Sequence, residues 1–308
     1  MKMKYQRIAA ILSTSAVAAF GLAACGSSDD DSSSSSGGTN TAAATTASTT
    51  PSTPTIAVPD AIKSKGTLTV AADASYAPNE FIGDDGKTVE GADVDLAEGI
   101  GKALGLKVDV KNAGFDSIIP GLAAKKYDLG MSSFTDTKER EATVDFVTYL
   151  SAGTSFYTKA DGGTDVTGLD DLCGKTVAVE KGTTQADDST AQSKKCKTAG
   201  KPAVKVSTFP DQNGANLAIQ SGRAQIGMAD SPVADYQVKK SGGQFKSVGT
   251  PYGTAPYGIA IPKGSGLADP VLAAVKAMIA DGSYKQILDK WGIAEGAITD
   301  PVINGAES

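Results

Sequence analysis

An α/β fold built as two lobes facing across a cleft is what this sequence predicts, and three observations carry it. Beyond Gly66, short strand-like stretches alternate with helix-like ones, the pattern of an open sheet with helices packed on it. The second half of the chain repeats that arrangement. The 308 residues also leave room for two lobes once an N-terminal region of quite different composition is set aside.

The elements follow in order. TLTVAAD (67–73) alternates as a strand, and DVDLAEGIGKALG (93–105) spaces Val94, Ala97, Ile100 and Leu104 along one helical face before stopping at Gly105. LKVDV (106–110) is a strand, and DSIIPGLAAKK (116–126) a helix in which Pro120 is tolerable only near the first turn. YDLGM (127–131) is the next strand. In the second half TVAVEKGTT (176–184) runs from strand into a helix start, AVKVSTF (203–209) is a strand, and AIQSGRAQIGMAD (218–230) reads helix, turn, strand. YDLGMSS and AQIGMAD each place Gly-Met near the end of a short apolar strand and deliver a polar residue where it stops, Ser133 in one and Asp230 in the other. Open α/β sheets bind ligands at such carboxyl ends.

Composition narrows the chemistry. A net charge of -6 argues against nucleic acid as a partner, since no basic excess is present to displace phosphate counterions. The chain has no histidine, which removes Ser-His-Asp and Cys-His nucleophiles and histidine metal sites; no metal or cofactor is expected. Carboxylate or lysine chemistry stays open.

Lys2, Lys4 and Arg7 precede an apolar run from Ile8 to Leu22 that is interrupted by Ser13, Thr14 and Ser15, the pattern of an export signal over residues 1–24. The run is shorter than the roughly 20 apolar residues of a spanning helix. Leu22-Ala23-Ala24-Cys25 resembles the lipobox of bacterial lipoproteins, in which the cysteine carries lipid; the alternative is an unmodified or removed Cys25. From Gly26 to Thr55 the chain uses only small, polar and proline residues and cannot bury enough apolar surface to fold, so residues 25–58 are expected to be a lipidated tether. That places the folded body outside the cytoplasmic membrane, where Cys173 and Cys196 are expected to pair; two separate buried thiols are the alternative.

The turn MSSFTDTKER (131–140) collects hydroxyls and one guanidinium. Asp136 and Glu139 are spaced as a capping box, which would put Arg140 in or just after the first helical turn. An anion there would meet backbone N–H groups, a helix start and a guanidinium fork suited to a carboxylate, with Ser133 and Thr135 as further donors. KGTTQ (181–185) offers a second helix start, and Asp230 the opposite charge. An arginine and an aspartate on facing lobes suit a zwitterion, a free amino acid.

The residues also resemble a family, the polar amino-acid substrate-binding proteins of bacterial ABC importers, solute-binding family 3. The resemblance runs from about Gly66 to Trp291 and rests on ADASYAP (72–78), GADVDLAEGIGKAL (91–104), FDSIIPGLAAKKYDLGMSSFTDTKER (115–140), VDF (144–146), VAVEKGTTQ (177–185), YGIAIPKG and DGSYKQILDKWG, in that order. Ala92 stands where the family usually has a bulky apolar residue, and Asn79 where phenylalanine is common after Pro78.

The resemblance implies the type II periplasmic-binding-protein-like (Venus flytrap) fold. In it, residues 59–152 and 254–308 form one lobe and 153–253 the other, with crossing strands near Leu150–Thr154 and Pro251–Pro256. It implies Arg140 as the carboxylate clamp, with Thr135 and Thr184 as donors to the same group, and Ser133 and Asp230 around the ammonium. Tyr76 and Phe115 become aromatic walls for the ligand side chain, with core packing as the alternative, and Asp73 and Glu180 meet its far end, with solvated strand ends as the alternative. Ser132, Phe134, Gly182 and Thr183 complete the expected pocket. Two carboxylates without a matching base favour a cationic tip, so arginine, lysine or ornithine is expected, with glutamine as competitor. A permease is the implied protein partner, the lipid on Cys25 the membrane contact, and a monomer the implied state. The alternatives are a dehydratase-like enzyme on the same fold, with Glu180 as its general acid, and a sensor module.

Overall fold

The computed structural model describes residues 56–307. The expected export signal, Cys25 and the tether as far as residue 55 lie outside the described residues. Ile56 and Val58, at the end of the expected tether, are partly buried against the first hydrophobic core.

The first lobe opens with α1 (Asp60–Lys65), β1 (Thr67–Ala72) and a small antiparallel sheet of β2 (Ser75–Tyr76), β3 (Glu80–Ile82) and β4 (Val89–Glu90). It continues with α2 (Ala92–Leu104), β5 (Lys107–Asn112), α3 (Phe115–Ala123), β6 (Leu129–Gly130) and α4 (Lys138–Glu141) before the long strand β7 (Val144–Lys159). The second lobe holds β8 (Thr176–Glu180), α5 (Thr184–Thr198), β9 (Lys205–Phe209), α6 (Gln212–Gln220), β10 (Ile226–Asp230) and α7 (Ser231–Lys240). β11 (Phe245–Pro262) returns to the first lobe, where α8 (Ala268–Asp281) and α9 (Ser283–Trp291) pack on α2.

The main sheet has the order β5-β1-β6-β11-β7-β10-β8-β9. Its outer strands are parallel on each side, β1 with β5 and β6, and β8 with β9 and β10, as strand–helix–strand crossovers require. β7 and β11 run antiparallel through the middle. β6 joins β11 at Ala260, and β10 joins β7 between Thr154 and Tyr157, so the same two strands carry both lobes. Their register shifts between Val248 and Tyr252 and again between Tyr252 and Ala255, within the stretch expected to cross between the lobes. Irregular pairing at that place leaves fewer ladder bonds to resist bending.

Leu68, Val70, Ile100 and Leu288 lie in the core of the first lobe, and Val177, Val179, Ile226 and Met228 in that of the second. A third cluster, with Phe115, Phe134, Phe146 and Tyr157, contains residues of both. Each large apolar side chain buried in this way contributes about 1.5–3 kcal/mol.

Two local expectations are corrected. Pro120 sits in the second turn of α3, inside the helix and past the first-turn position its missing N–H favours. The expected strand 127–131 shortens to Leu129–Gly130. The expected pairing of Cys173 with Cys196 is present as a disulfide, with Cys196 in the last turns of α5.

Candidate functional site

The turn 131–140 leaves the end of β6 and is fixed by its neighbours more than by its own helix. Thr137, and not Asp136, caps α4: its hydroxyl accepts the Arg140 N–H over 3.2 Å. Asp136 instead accepts the Gly305 N–H at 2.7 Å, a contact across 169 positions that a local capping rule cannot foresee. Because α4 has a single turn, little helix field is available and the guanidinium itself must carry the anion attraction. Arg140 donates through Nη1 to the Thr135 carbonyl (2.8 Å) and through Nη2 to the Gly182 carbonyl (3.0 Å). Its planar face lies over the rings of Phe115 and Phe134, 5.3 and 5.5 Å from their centroids.

Phe134 stacks beneath Phe115 with centroids 4.5 Å apart, and Tyr76 meets Phe115 edge-on at 5.8 Å. Stacking on Phe134 and the edge-on contact with Tyr76 hold the Phe115 ring in place as one wall. Behind it the Ser132 hydroxyl accepts the Asp73 N–H at 2.8 Å, which ties the end of β1 to the turn.

From the second lobe, Thr183 caps α5 by accepting the Ala186 N–H (3.2 Å) and donates to the Glu180 carbonyl (2.8 Å). Asp230 ends β10. Its carboxylate accepts from Gln185 Nε2 at 2.7 Å, and the same amide reaches Thr154 Oγ1 at 2.9 Å. Burial pushes the Asp230 carboxyl up to about 6, against the opposing pull of the nearby Tyr257 hydroxyl, the Gln185 hydrogen bond and the charge of Arg140.

The lobes touch at the mouth. Lys181 pairs with Asp116 at 2.8 Å, and the Gln212 N–H donates to the Ser75 hydroxyl at 3.1 Å. The cavity between the lobes is about 10 Å³, too small for an amino acid unless they separate. It is lined by Tyr76, Phe115, Ser133, Thr135 and Arg140 from one side and Thr183, Thr184 and Asp230 from the other. A larger cavity of about 750 Å³ lies elsewhere, between hinge residues such as Ser151 and Thr254 and the helices α7 and α9, and contains none of the expected site residues.

Arg140 and Asp230 thus face one cavity from two lobes hinged on a pair of crossing strands, and the sequence matches one family over residues 68–294. The chain belongs to the bacterial extracellular solute-binding proteins, family 3. It is 34% identical over 248 residues to the arginine-binding protein ArgT of Corynebacterium glutamicum, covering 80% of this chain and 81% of that one. It is 29% identical to the L-cystine-binding protein TcyJ of Escherichia coli, over 75% of this chain and 84% of the relative. Among solved structures it resembles an ancestral arginine-binding protein bound to arginine, with 38% identity, a TM-score of 0.67 and coverage of 73% of this chain and 98% of the other, and likewise an ancestral arginine-binding protein bound to glutamine. Two-lobed architecture is therefore a property of this family member.

Five of the expected site residues do not line the cavity in this closed arrangement: Asp73, Ser132, Phe134, Glu180 and Gly182. Gly182 contributes its carbonyl to Arg140, and Ser132 and Phe134 support the wall from behind. Asp73 and Glu180 form a buried acidic pair. Asp73 accepts from the Ser75 hydroxyl (2.7 Å) and the Phe115 N–H (2.8 Å). Glu180 is 1% exposed, and neither of its carboxylate oxygens has a hydrogen-bond partner among the described residues. Burial, with the charge of Asp73 adding to it, pushes Glu180 up to about 9.

Gln185, Gln212 and Ala229 line the cavity without having been expected there. Gln185 followed directly on KGTT and was legible as a first-turn residue of α5; Gln212 had no such signal, because only the lobe contact brings it to Ser75.

Proposed function

We propose that this protein is the extracytoplasmic binding component of an ABC importer and captures a free amino acid with a cationic side chain, arginine before lysine and ornithine. The observation that carries this reading is the charge arrangement. Arg140 and Asp230 offer opposite charges to one small cavity, and the acids Asp73 and Glu180 stand beside the aromatic wall. A carboxylate on Arg140, an ammonium by Asp230 and Ser133, and a cationic tip reaching toward Asp73 and Glu180 would satisfy all four. The arginine-binding relatives support the choice of ligand.

Binding and delivery need no chemical step. A ligand touching both lobes binds the closed form better than the open form and shifts the population toward closure. A permease would then recognise the closed shape and receive the solute. Micromolar affinity corresponds to about 8 kcal/mol net. The lobe boundaries at about residues 152 and 254, lipid on Cys25 as the membrane anchor and action as a monomer belong to the same reading.

One observation favours a second reading. Glu180, raised to about 9, is protonated near neutral pH, the state a general acid requires on a dehydratase-like version of this fold. Titration calorimetry of the purified protein, refolded to strip carried solute, tests both readings against the amino acids with ornithine and citrulline. Saturable binding of a basic amino acid that is recovered intact after hours supports the first reading. Disappearance of the ligand supports the second, and silence across the panel removes amino acids as the ligand class.

A further inference from the structure

Ser133 lines the cavity, yet it is held from behind by groups that never reach it. Its backbone is left-handed, with φ 53°, a conformation that a serine keeps only when its surroundings fix it. Three contacts do so. The Ser133 N–H donates to Asp93 Oδ2 at 3.1 Å; its hydroxyl accepts from Asn79 Nδ2 at 2.8 Å and points to both oxygens of Glu80 at 3.3 Å. Asp93 also accepts the Tyr149 hydroxyl at 2.8–2.9 Å and lies in the first turn of α2, where the helix favours a negative charge. Glu80, Asn79 and Asp93 are each no more than 1% exposed.

One set of proton directions satisfies every member of this chain of contacts. A hydroxyl has one proton and two lone pairs. Asn79 can only donate through Nδ2, so it occupies one lone pair of Ser133 Oγ, and Glu80 takes the proton. One lone pair remains. Two buried carboxyls side by side cannot both be ionised without strong repulsion, and Asp93, which already accepts from Ser133 and Tyr149, keeps the charge while Glu80 holds the proton. Burial raises both groups, Glu80 well above its usual value with the charge of Asp93 adding to it, and Asp93 to about 6, the direction in which Glu80 is the one that holds the proton.

We propose that Asn79, Glu80 and Asp93 form a proton-ordered support that fixes Ser133 as a hydrogen-bond acceptor, so that this corner of the cleft selects a ligand carrying an α-ammonium. Asn79 is the distinctive member, because its amide fills the lone pair that would otherwise let the hydroxyl turn. Gly91 admits the backbone that carries it: a Cβ there would collide with the Asn79 backbone carbonyl. These are positioning residues, acting through Ser133. The inference rests on the amino-acid reading above.

The test compares L-arginine with its des-amino analogue δ-guanidinovalerate, titrated calorimetrically into the full chain and three variants. Asn79→Leu and Asp93→Asn should each weaken L-arginine by about tenfold or more while leaving the analogue within about twofold. Glu80→Gln, whose amide reproduces the neutral acid by accepting from Ser133 and donating to Asp93, should leave both ligands unchanged. Equal losses for both ligands would mean that the three residues only support packing, and a Glu80→Gln variant that behaves like Asp93→Asn would overturn the proton assignment. Failure of the unaltered protein to bind L-arginine would instead remove the amino-acid reading, and this inference with it.

Discussion

The guanidinium of Arg140, on the first lobe, donates to the backbone carbonyl of Gly182, on the second, over 3.0 Å. The side chain proposed as the anion clamp is therefore also a latch between the lobes. A ligand carboxylate arriving at Arg140 can take up the guanidinium's remaining donors while the latch persists, since the group has five N–H donors in a fixed fork.

Arg140→Ala should accordingly lower amino-acid affinity by about a hundredfold or more, because it leaves the ligand carboxylate unpaired in a closed cleft. Arg140→Lys should recover only part of this, since an ammonium cannot form the fork. Calorimetric titration of both variants is the check; unchanged affinity in Arg140→Ala would end the carboxylate reading.

Glu180 provides a sharper discriminator of ligand charge. It is held near 9 by burial and by Asp73, so near neutral pH it carries a proton that a cationic side chain would expel. Arginine affinity should then rise between about pH 6 and 8, with protons released on binding, whereas the neutral isostere citrulline should show neither effect. Glu180→Gln should weaken arginine more than about tenfold and abolish the proton release. Calorimetry in buffers of different ionisation enthalpy counts the protons directly, and an arginine profile that follows the citrulline profile would exclude Glu180 as the partner of the cationic tip.

These two residues also show what the sequence could and could not disclose. Asp230 could be singled out because a strand pattern stops at it, and Arg140 because it is the one guanidinium in a hydroxyl-rich turn that follows such a strand. The cap of α4 was not, because Asp136 and Thr137 are both capping types one residue apart and the choice depends on Gly305, far along the chain. The isolation of Glu180 was hidden for a related reason: the sequence places it at the end of β8, but only the folded lobes leave its oxygens without a hydrogen-bond partner among the described residues. Asn79 could be seen as a departure from the family pattern, while its contact with Ser133 needed the turn in three dimensions.

Mild acid should stabilise the protein. Burial raises Asp93, Asp136 and Asp230 to about 6, above the usual carboxylate range, so the folded state binds protons that the unfolded chain releases. The stability from such groups is complete below the unfolded pKa and is lost as pH rises through about 6. The thermal midpoint should therefore climb by a few degrees between about pH 7.5 and 5, and Asp136→Asn should flatten part of the climb. Asp145 and Glu141, which are lowered, oppose this only in stronger acid. A midpoint that falls steadily over the same range would contradict the assignment.

The disulfide should separate stability from binding. Cys173 and Cys196 close a loop with a sequence separation of 23, and by the chain-entropy model a loop of that size stabilises by about 3 kcal/mol. α5 carries Thr184 and Gln185 in its first turn and Cys196 in its last turns, about 18 Å away at the helical rise per residue. The cleft end of the helix is held independently, by the Thr183 cap and by Gln185 bonded to Thr154 and Asp230. Cys173→Ser combined with Cys196→Ser should thus lower the denaturation free energy by about 3 kcal/mol while shifting ligand affinity by less than about threefold at a temperature where the variant stays folded. Urea titration gives the first quantity and calorimetry the second. A large affinity loss in a demonstrably folded double variant would show that the far end of α5 sets the geometry of its cleft end, and the separation argued from these contacts would be wrong.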